Sequence, residues 1–220
     1  MKICCIASIE EAWLAIEYGA SAVGLVSEMP SGPGPIPEHL IAKIAKTIPP
    51  SVSSFLLTSK QKPTDIITQH RRCRTNVIQL VDRIKTEDYE QLREAMPGIG
   101  IVQVIHVTSE DAIDEAIEVS PHVNAILLDS GKPNLPVKQL GGTGRTHNWA
   151  ISRQIREKVN VPVFLAGGLT LNNVLEALNQ VQPFGVDVCN GVRTENRLDE
   201  AKLSKFFKAV SSYTTPIGKA

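Results

Sequence analysis

The chain has 220 residues, 42% of them hydrophobic and 21% charged, the composition of an ordinary folded domain. Lys and Arg number 23 and Asp and Glu 23, so a formal charge of zero gives no drive toward nucleic acid or an anionic membrane. The longest apolar runs, such as 161–166, are far shorter than the roughly 20 residues a spanning helix needs, and the start through Ile9-Glu10-Glu11 lacks the roughly 7–15 apolar residues of a secretory leader, so the cytoplasm is the expected location.

The first run, 2–7, predicts a strand on which Cys4 shares a face with Lys2 and Ile6, with Cys5 on the other face. A strand cysteine is ordinarily a small buried hydrophobe, and work as a base would require a cation or backbone dipoles to lower its pKa. A helix over 9–18, a strand over 22–27 and a helix over 38–47 follow. Strand 52–58 leads into helix 63–70, where Pro63 suits the first turn. His70 and Cys73 stand three apart in a basic stretch and are expected to be solvated side chains. The four cysteines at 4, 5, 73 and 189 show no metal-ligand spacing.

Strand 77–81, helix 86–95 and strand 100–107 come next, and Ser109-Glu110-Asp111 offers a cap and acids to a helix over 109–119. Strand 125–129 ends on Asp129, which can serve as an acid or base at a strand mouth or form an Asx turn with Ser130 and Gly131. Gly141-Gly142-Thr143-Gly144 is dense enough in glycine to wrap a ligand or act as a lid. Helix 148–158 and strand 161–166 then run into Gly167-Gly168, followed by a helix over 171–179 with Thr170 as its cap and Leu171, Val174, Leu175 and Leu178 facing the core. Strand 185–189 opens into Asn190-Gly191-Val192-Arg193, and a helix over 199–210 precedes a tail, 213–220, expected to fray.

Strict alternation of strand and helix means a parallel sheet, either closed or open and doubly wound. Eight units of about 27 residues match a single-domain (β/α)8 TIM barrel over 1–212. In that fold the site lies at the C-terminal ends of the strands, and the turns after strands seven and eight form a phosphate site. Gly167, Gly168, Asn190 and Gly191 sit there, where glycine lets backbone amides approach an anion and a helix N-terminus adds its dipole.

Several segments together resemble the phosphoribosylanthranilate isomerases: Lys2-Ile3-Cys4, Val77-Ile78-Gln79-Leu80, Leu127-Leu128-Asp129-Ser130, Gly141-Gly142-Thr143-Gly144 with Asn148-Trp149, Ala166-Gly167-Gly168-Leu169, and Pro183-Phe184-Gly185-Val186-Asp187-Val188. They fall in the family's order from residue 2 to about 210. The resemblance implies an Amadori rearrangement of N-(5-phosphoribosyl)anthranilate, with Cys4 as general base and Asp129 as general acid. Gln79, Gly142, Gly144, Gly167, Gly168, Asn190 and Gly191 are the candidate contacts to a phosphorylated small-molecule substrate, with no metal or cofactor, on a monomer or homodimer. A related isomerase or epimerase acting on another sugar phosphate, or a non-catalytic phosphate-ligand binding protein, are the competing readings.

The chain also departs from the family. Cys5 replaces a glycine, and the loop Ser27-Glu28-Met29-Pro30-Ser31-Gly32-Pro33-Gly34-Pro35 lacks the arginine that grips the anthranilate carboxylate. Val81-Asp82 replaces His-Gly after strand four, and Cys189-Asn190 replaces two small hydroxyl residues after strand eight. Arg83, Arg145 and Arg193 are the candidates to supply the missing cation.

Overall fold

Runs rich in β-branched residues alternate with amphipathic segments of helical period, and each run adds one parallel strand beside the last. The computed structural model describes residues 1–213, so all of the tail expected to fray except Tyr213 lies outside the described residues. Eight parallel strands close into a barrel in chain order: β1 (Lys2–Ile3), β2 (Ala22–Val26), β3 (Ser53–Thr58), β4 (Val77–Leu80), β5 (Gly100–His106), β6 (Ala125–Asp129), β7 (Val163–Leu165) and β8 (Gly185–Val188). Lys2 makes the closure, registering with Ala22 on one side and Asp187 on the other. An open, doubly wound sheet is thereby excluded.

The helices α1 (Ile9–Glu17), α2 (Glu38–Ala45), α3 (Pro63–Cys73), α4 (Asp88–Ala95), α5 (Asp111–Val119), α6 (Trp149–Lys158), α7 (Val174–Val181) and α8 (Glu200–Ser211) follow the strands in turn. Between β8 and α8 lies a small hairpin of β9 (Arg193–Thr194) and β10 (Arg197–Leu198). Strand alternation divides the core in two. Outward residues such as Ile3, Leu25, Leu56, Ile105 and Leu128 pack against the helices, while Ala22, Phe55, Leu57, Val102 and Leu127 fill the barrel. Among the described residues no helix is long and apolar enough to cross a membrane.

The structure corrects several local expectations. Strand β1 is only two residues long because Cys5 is left-handed, with φ 61°. That residue breaks the alternation as a bulge does. Cys4 and Cys5 therefore both join the interior cluster, and Ile6 turns to the outer one instead of sharing a face with Cys4.

Helix α7 starts at Val174, not Leu171, because Asn173 folds the preceding turn: its Oδ1 accepts from the Thr170 N–H at 2.8 Å and its Nδ2 donates to the Gly168 carbonyl at 3.0 Å. Thr170 is thus not the cap. The buried row is Val174, Ala177, Leu178 and Val181, while Leu171 and Leu175 are each 41% exposed. Ser109 donates to Asp111 rather than capping α5. His70 and Cys73 are buried rather than solvated: a His70 ring nitrogen hydrogen-bonds the Thr75 carbonyl at 2.7 Å and helps turn α3 into β4. Pro63 is the first helical residue of α3, as expected.

Candidate active site

A cleft opens at the C-terminal ends of the strands, lined from β1 by Cys4 and Cys5, from β4 by Gln79, from β6 by Asp129, and from the later loops by Gly141–Gly144, Ala166–Thr170 and Asp187–Gly191. Every sequence-predicted site residue lies on this one cleft. Its floor holds something the sequence reading missed. The Lys2 ammonium, fully buried, donates to Asp187 Oδ2 at 2.7 Å and lies 5.2 Å from the centre of the Phe55 ring.

Gly24 makes room above this pair. A β-carbon there would lie 2.8 Å from Cys4 Sγ and 3.1 Å from Lys2 Nζ, so sulfur and ammonium approach a common point. The Cys4 thiol is held below its ordinary pKa. The largest cause is a hydrogen bond from the Cys5 thiol, burial opposes it, and the Lys2 cation adds to the lowering. Cys5 is pushed the other way by its contacts with the Cys189 and Cys4 thiols and by burial. Its sulfur also lies 3.7 Å from the Pro33 carbonyl oxygen.

Arg193 fixes the backbone behind these thiols. Its guanidinium donates to the carbonyls of Cys4 at 3.2 Å and Cys5 at 2.6 Å, and to Glu11 at 3.0 and 3.1 Å. A residue read as a possible ligand cation is instead a buried brace for the left-handed Cys5.

Across the cleft, burial raises the Asp129 carboxyl above the usual aspartate value, partly offset by the Ser130 N–H donating to Oδ1 at 2.7 Å. Gly141 and Gly167 confine it: a β-carbon on either would come within 2.9 Å of Oδ2 or 3.1 Å of Oδ1. The acid therefore abuts both the β6 loop and the turn after β7. Two acceptors in the lining, Gln79 Oε1 and Asp187 Oδ1, are buried without a hydrogen-bond partner, so each can receive a ligand hydroxyl.

The turns after β7 and β8 pack backbone to backbone. A β-carbon on Gly168, where φ is 61°, would sit 2.5 Å from the Arg145 carbonyl carbon, and one on Gly191 would sit 2.1 Å from the Leu169 oxygen. Asn190 Nδ2 donates to the Gly142 carbonyl at 3.3 Å, tying the β6 loop to the second turn. That loop also meets the β2 loop: Ser31 donates to the Lys138 carbonyl at 2.7 Å, and Pro33 lies where a Gly142 side chain would be.

The family model described as N-(5'phosphoribosyl)anthranilate (PRA) isomerase matches residues 1–209. The chain belongs to the PRA isomerase family. An N-(5'-phosphoribosyl)anthranilate isomerase of Methanocella arvoryzae is 31% identical over 207 residues, 94% of this chain and 95% of that one. An N-(5'-phosphoribosyl)anthranilate isomerase 2 of Methanosarcina mazei is 34% identical over 208 residues, 94% and 91% of the two chains. Among solved structures, the enzyme from Thermotoga maritima is 28% identical with a TM-score of 0.82, covering 96% of this chain and 98% of that one. A PRA isomerase in complex with reduced 1-(o-carboxyphenylamino)-1-deoxyribulose 5-phosphate is 26% identical with a TM-score of 0.80 and the same coverage.

Arg83 pairs with Glu118 at 2.7 Å on the surface, and Arg193 is committed to Glu11. Arg145 is exposed and does not line the cleft. None of the three expected candidates is among the residues lining the cleft.

Proposed function

We propose that the chain isomerises N-(5-phosphoribosyl)anthranilate by an Amadori rearrangement in tryptophan biosynthesis, with Cys4 as general base and Asp129 as general acid. The observation that carries these roles is the opposed shift of two groups in one cleft, the thiol lowered and the carboxyl raised. Pairs of titratable groups pushed apart by their surroundings are how one site runs acid and base chemistry together.

The substrate phosphate binds the backbone amides of the turns containing Gly167, Gly168 and Gly191, with Gly142, Gly144 and Asn190 closing over it. Gln79 Oε1 and Asp187 Oδ1 accept from sugar hydroxyls. Protonated Asp129 delivers its proton to the ring oxygen as the C1–O bond breaks, and the nitrogen lone pair forms the C1=N bond. The Cys4 thiolate takes the proton from C2, and the C–H electron pair becomes the C1=C2 bond of an enol-amine that tautomerises to the ketone. The substrate's own nitrogen is the electron sink, so the reaction calls for neither cofactor nor metal. The protein acts as a cytoplasmic monomer or homodimer on this phosphorylated small molecule, without nucleic-acid or membrane partners.

The test is loss of anthranilate fluorescence on adding purified protein to the substrate. Turnover should be abolished in Cys4→Ser and Asp129→Asn. Undiminished turnover in either variant removes that residue from the mechanism.

A further inference from the structure

The closed barrel sets strands β7 and β8 opposite β3 and β4. A ligand whose phosphate lies on the β7 and β8 turns, with its sugar between Cys4 and Asp129, must point its amine substituent at the far side of the cleft. That side is walled by Val26, Met29, Pro33, Leu57, Val81 and Leu140. No Lys, Arg or His is among the described residues lining the cleft, whereas Asp129 and Asp187 are.

Several described cations are paired elsewhere. Lys138 is paired with Asp82, Arg83 with Glu118, and Lys2 lies under the floor on Asp187. His106 is bonded through Nε2 to the Val81 carbonyl at 2.9 Å. The Ser31 hydroxyl, the polar group of the β2 side, donates to the Lys138 carbonyl. A carboxylate entering here would lose its water and meet no cation among the lining residues, which is the unfavourable case for a buried charge.

We infer that the amine-substituent end of the cleft is built for an uncharged apolar group, so that N-(5-phosphoribosyl) amines of neutral aryl type are converted at least as well as the anthranilate compound. This rests on the isomerase reading above for its reaction and on the lining alone for its substrate class. Met29, Leu57 and Leu140 are its specificity-determining residues; they touch the substituent and take no part in the proton transfers.

The experiment compares kcat/KM of the full chain for N-(5-phosphoribosyl)anthranilate and N-(5-phosphoribosyl)aniline. Alongside it, dissociation constants are measured for the reduced 1-amino-1-deoxyribulose 5-phosphate analogues carrying a phenyl or an o-carboxyphenyl group. The aniline compound is expected to equal or exceed the anthranilate compound in kcat/KM, by up to about tenfold, with the same order in binding. Tenfold or greater preference for the carboxylated member in both measurements overturns the inference. If neither compound turns over, the isomerase reading fails and the binding pair alone decides the substituent class. Met29→Arg should shift the ratio toward anthranilate by about tenfold, as a new guanidinium would. A ratio that does not move removes Met29 from the substituent wall.

Discussion

Lys2 donates to Asp187 at 2.7 Å beneath the thiol of Cys4, with the two side chains 0% and 6% exposed. Burial works against the ammonium, but Asp187 and the Cys4 thiol more than offset it and hold Lys2 above its ordinary pKa. Lys2 beneath Cys4 is therefore held as a cation at neutral pH. Because the folded-state pKa is raised, the stabilisation is complete below the unfolded lysine value of about 10.4 and fades only as pH climbs through the folded one. Lys2→Met leaves a buried carboxylate alone and should lose about 3–5 kcal/mol in urea denaturation, whereas Lys2→Met with Asp187→Leu should recover much of that. A loss below about 1 kcal/mol in the single variant would show that water reaches Asp187.

The thiol pair at 4 and 5 sets the second expectation. The Cys5 thiol is the largest cause of the lowered Cys4 pKa. Replacing Cys5 by glycine, which tolerates φ 61° without penalty, should keep the backbone and remove the donor. The pH at which Cys4 becomes open to alkylation by iodoacetamide, read by mass mapping of Cys4, should move upward, and the thiol limb of the kcat/KM profile should follow it. If both stay in place, Lys2 and not Cys5 governs the thiol.

Asp129 should show activity and stability pulling apart. Its folded pKa is raised by burial, so above the unfolded value near 3.9 the ionised carboxylate disfavours the native state. Asp129→Asn retains an oxygen to accept from the Ser130 N–H and sheds the charge. It is expected to lose about 10²–10⁴-fold in turnover. It should also melt at or above the wild-type temperature at neutral pH, with the difference closing as pH falls toward 4 and below. A clear drop in melting temperature would mean that the ionised carboxylate is stabilised by its neighbours rather than strained.

The turns after β7 and β8 leave no space for side chains. Gly191→Ala would place a carbon 2.1 Å from the Leu169 oxygen, and Gly168→Ala one 2.5 Å from the Arg145 carbonyl carbon. Backbone must shift in both cases, so the amides assigned to phosphate lose their alignment. Each variant should raise KM and weaken inhibition by inorganic phosphate, with a smaller effect on kcat. An unchanged KM would place the phosphate elsewhere on the rim.

The barrel itself was legible because its signal is repetitive: each apolar run and each helical period restates the same unit, and errors of a residue or two at the ends do not disturb the order. The rim glycines and Asp129 were legible for a related reason, since position after a strand is enough to place them on the cleft. What escaped was set by contacts over long distances in the chain. Lys2 meets Asp187 only because the barrel closes, and Glu11 reaches Arg193 across 182 residues. One acid among the valines of β8 and one cation on its neighbour β1 were the available hint, and it needed closure to be read. Cys5 escaped because nothing in the residue type announces a left-handed backbone. Leu171 and Leu175 continued a helical period, but the Asn173 hydrogen bonds start the helix later and leave both outside the core.

The clasp between Ser31 and Lys138 joins segments 107 residues apart, and the groups on either side of it are unequally shared. Cys4, Gln79 and most of the apolar wall come from the first four strand–helix units, whereas Asp129 and the glycine turns come from the last four. On the proposed roles each half of the molecule is thus chemically incomplete in a different way, one holding the proposed base without an anchor and the other the proposed anchor and acid without a base. Exchange of the first half between two barrels of this family would transplant the choice of amine substituent and carry the proposed proton-abstracting group with it, while the proposed phosphate recognition descended unaltered from the parent of the second half.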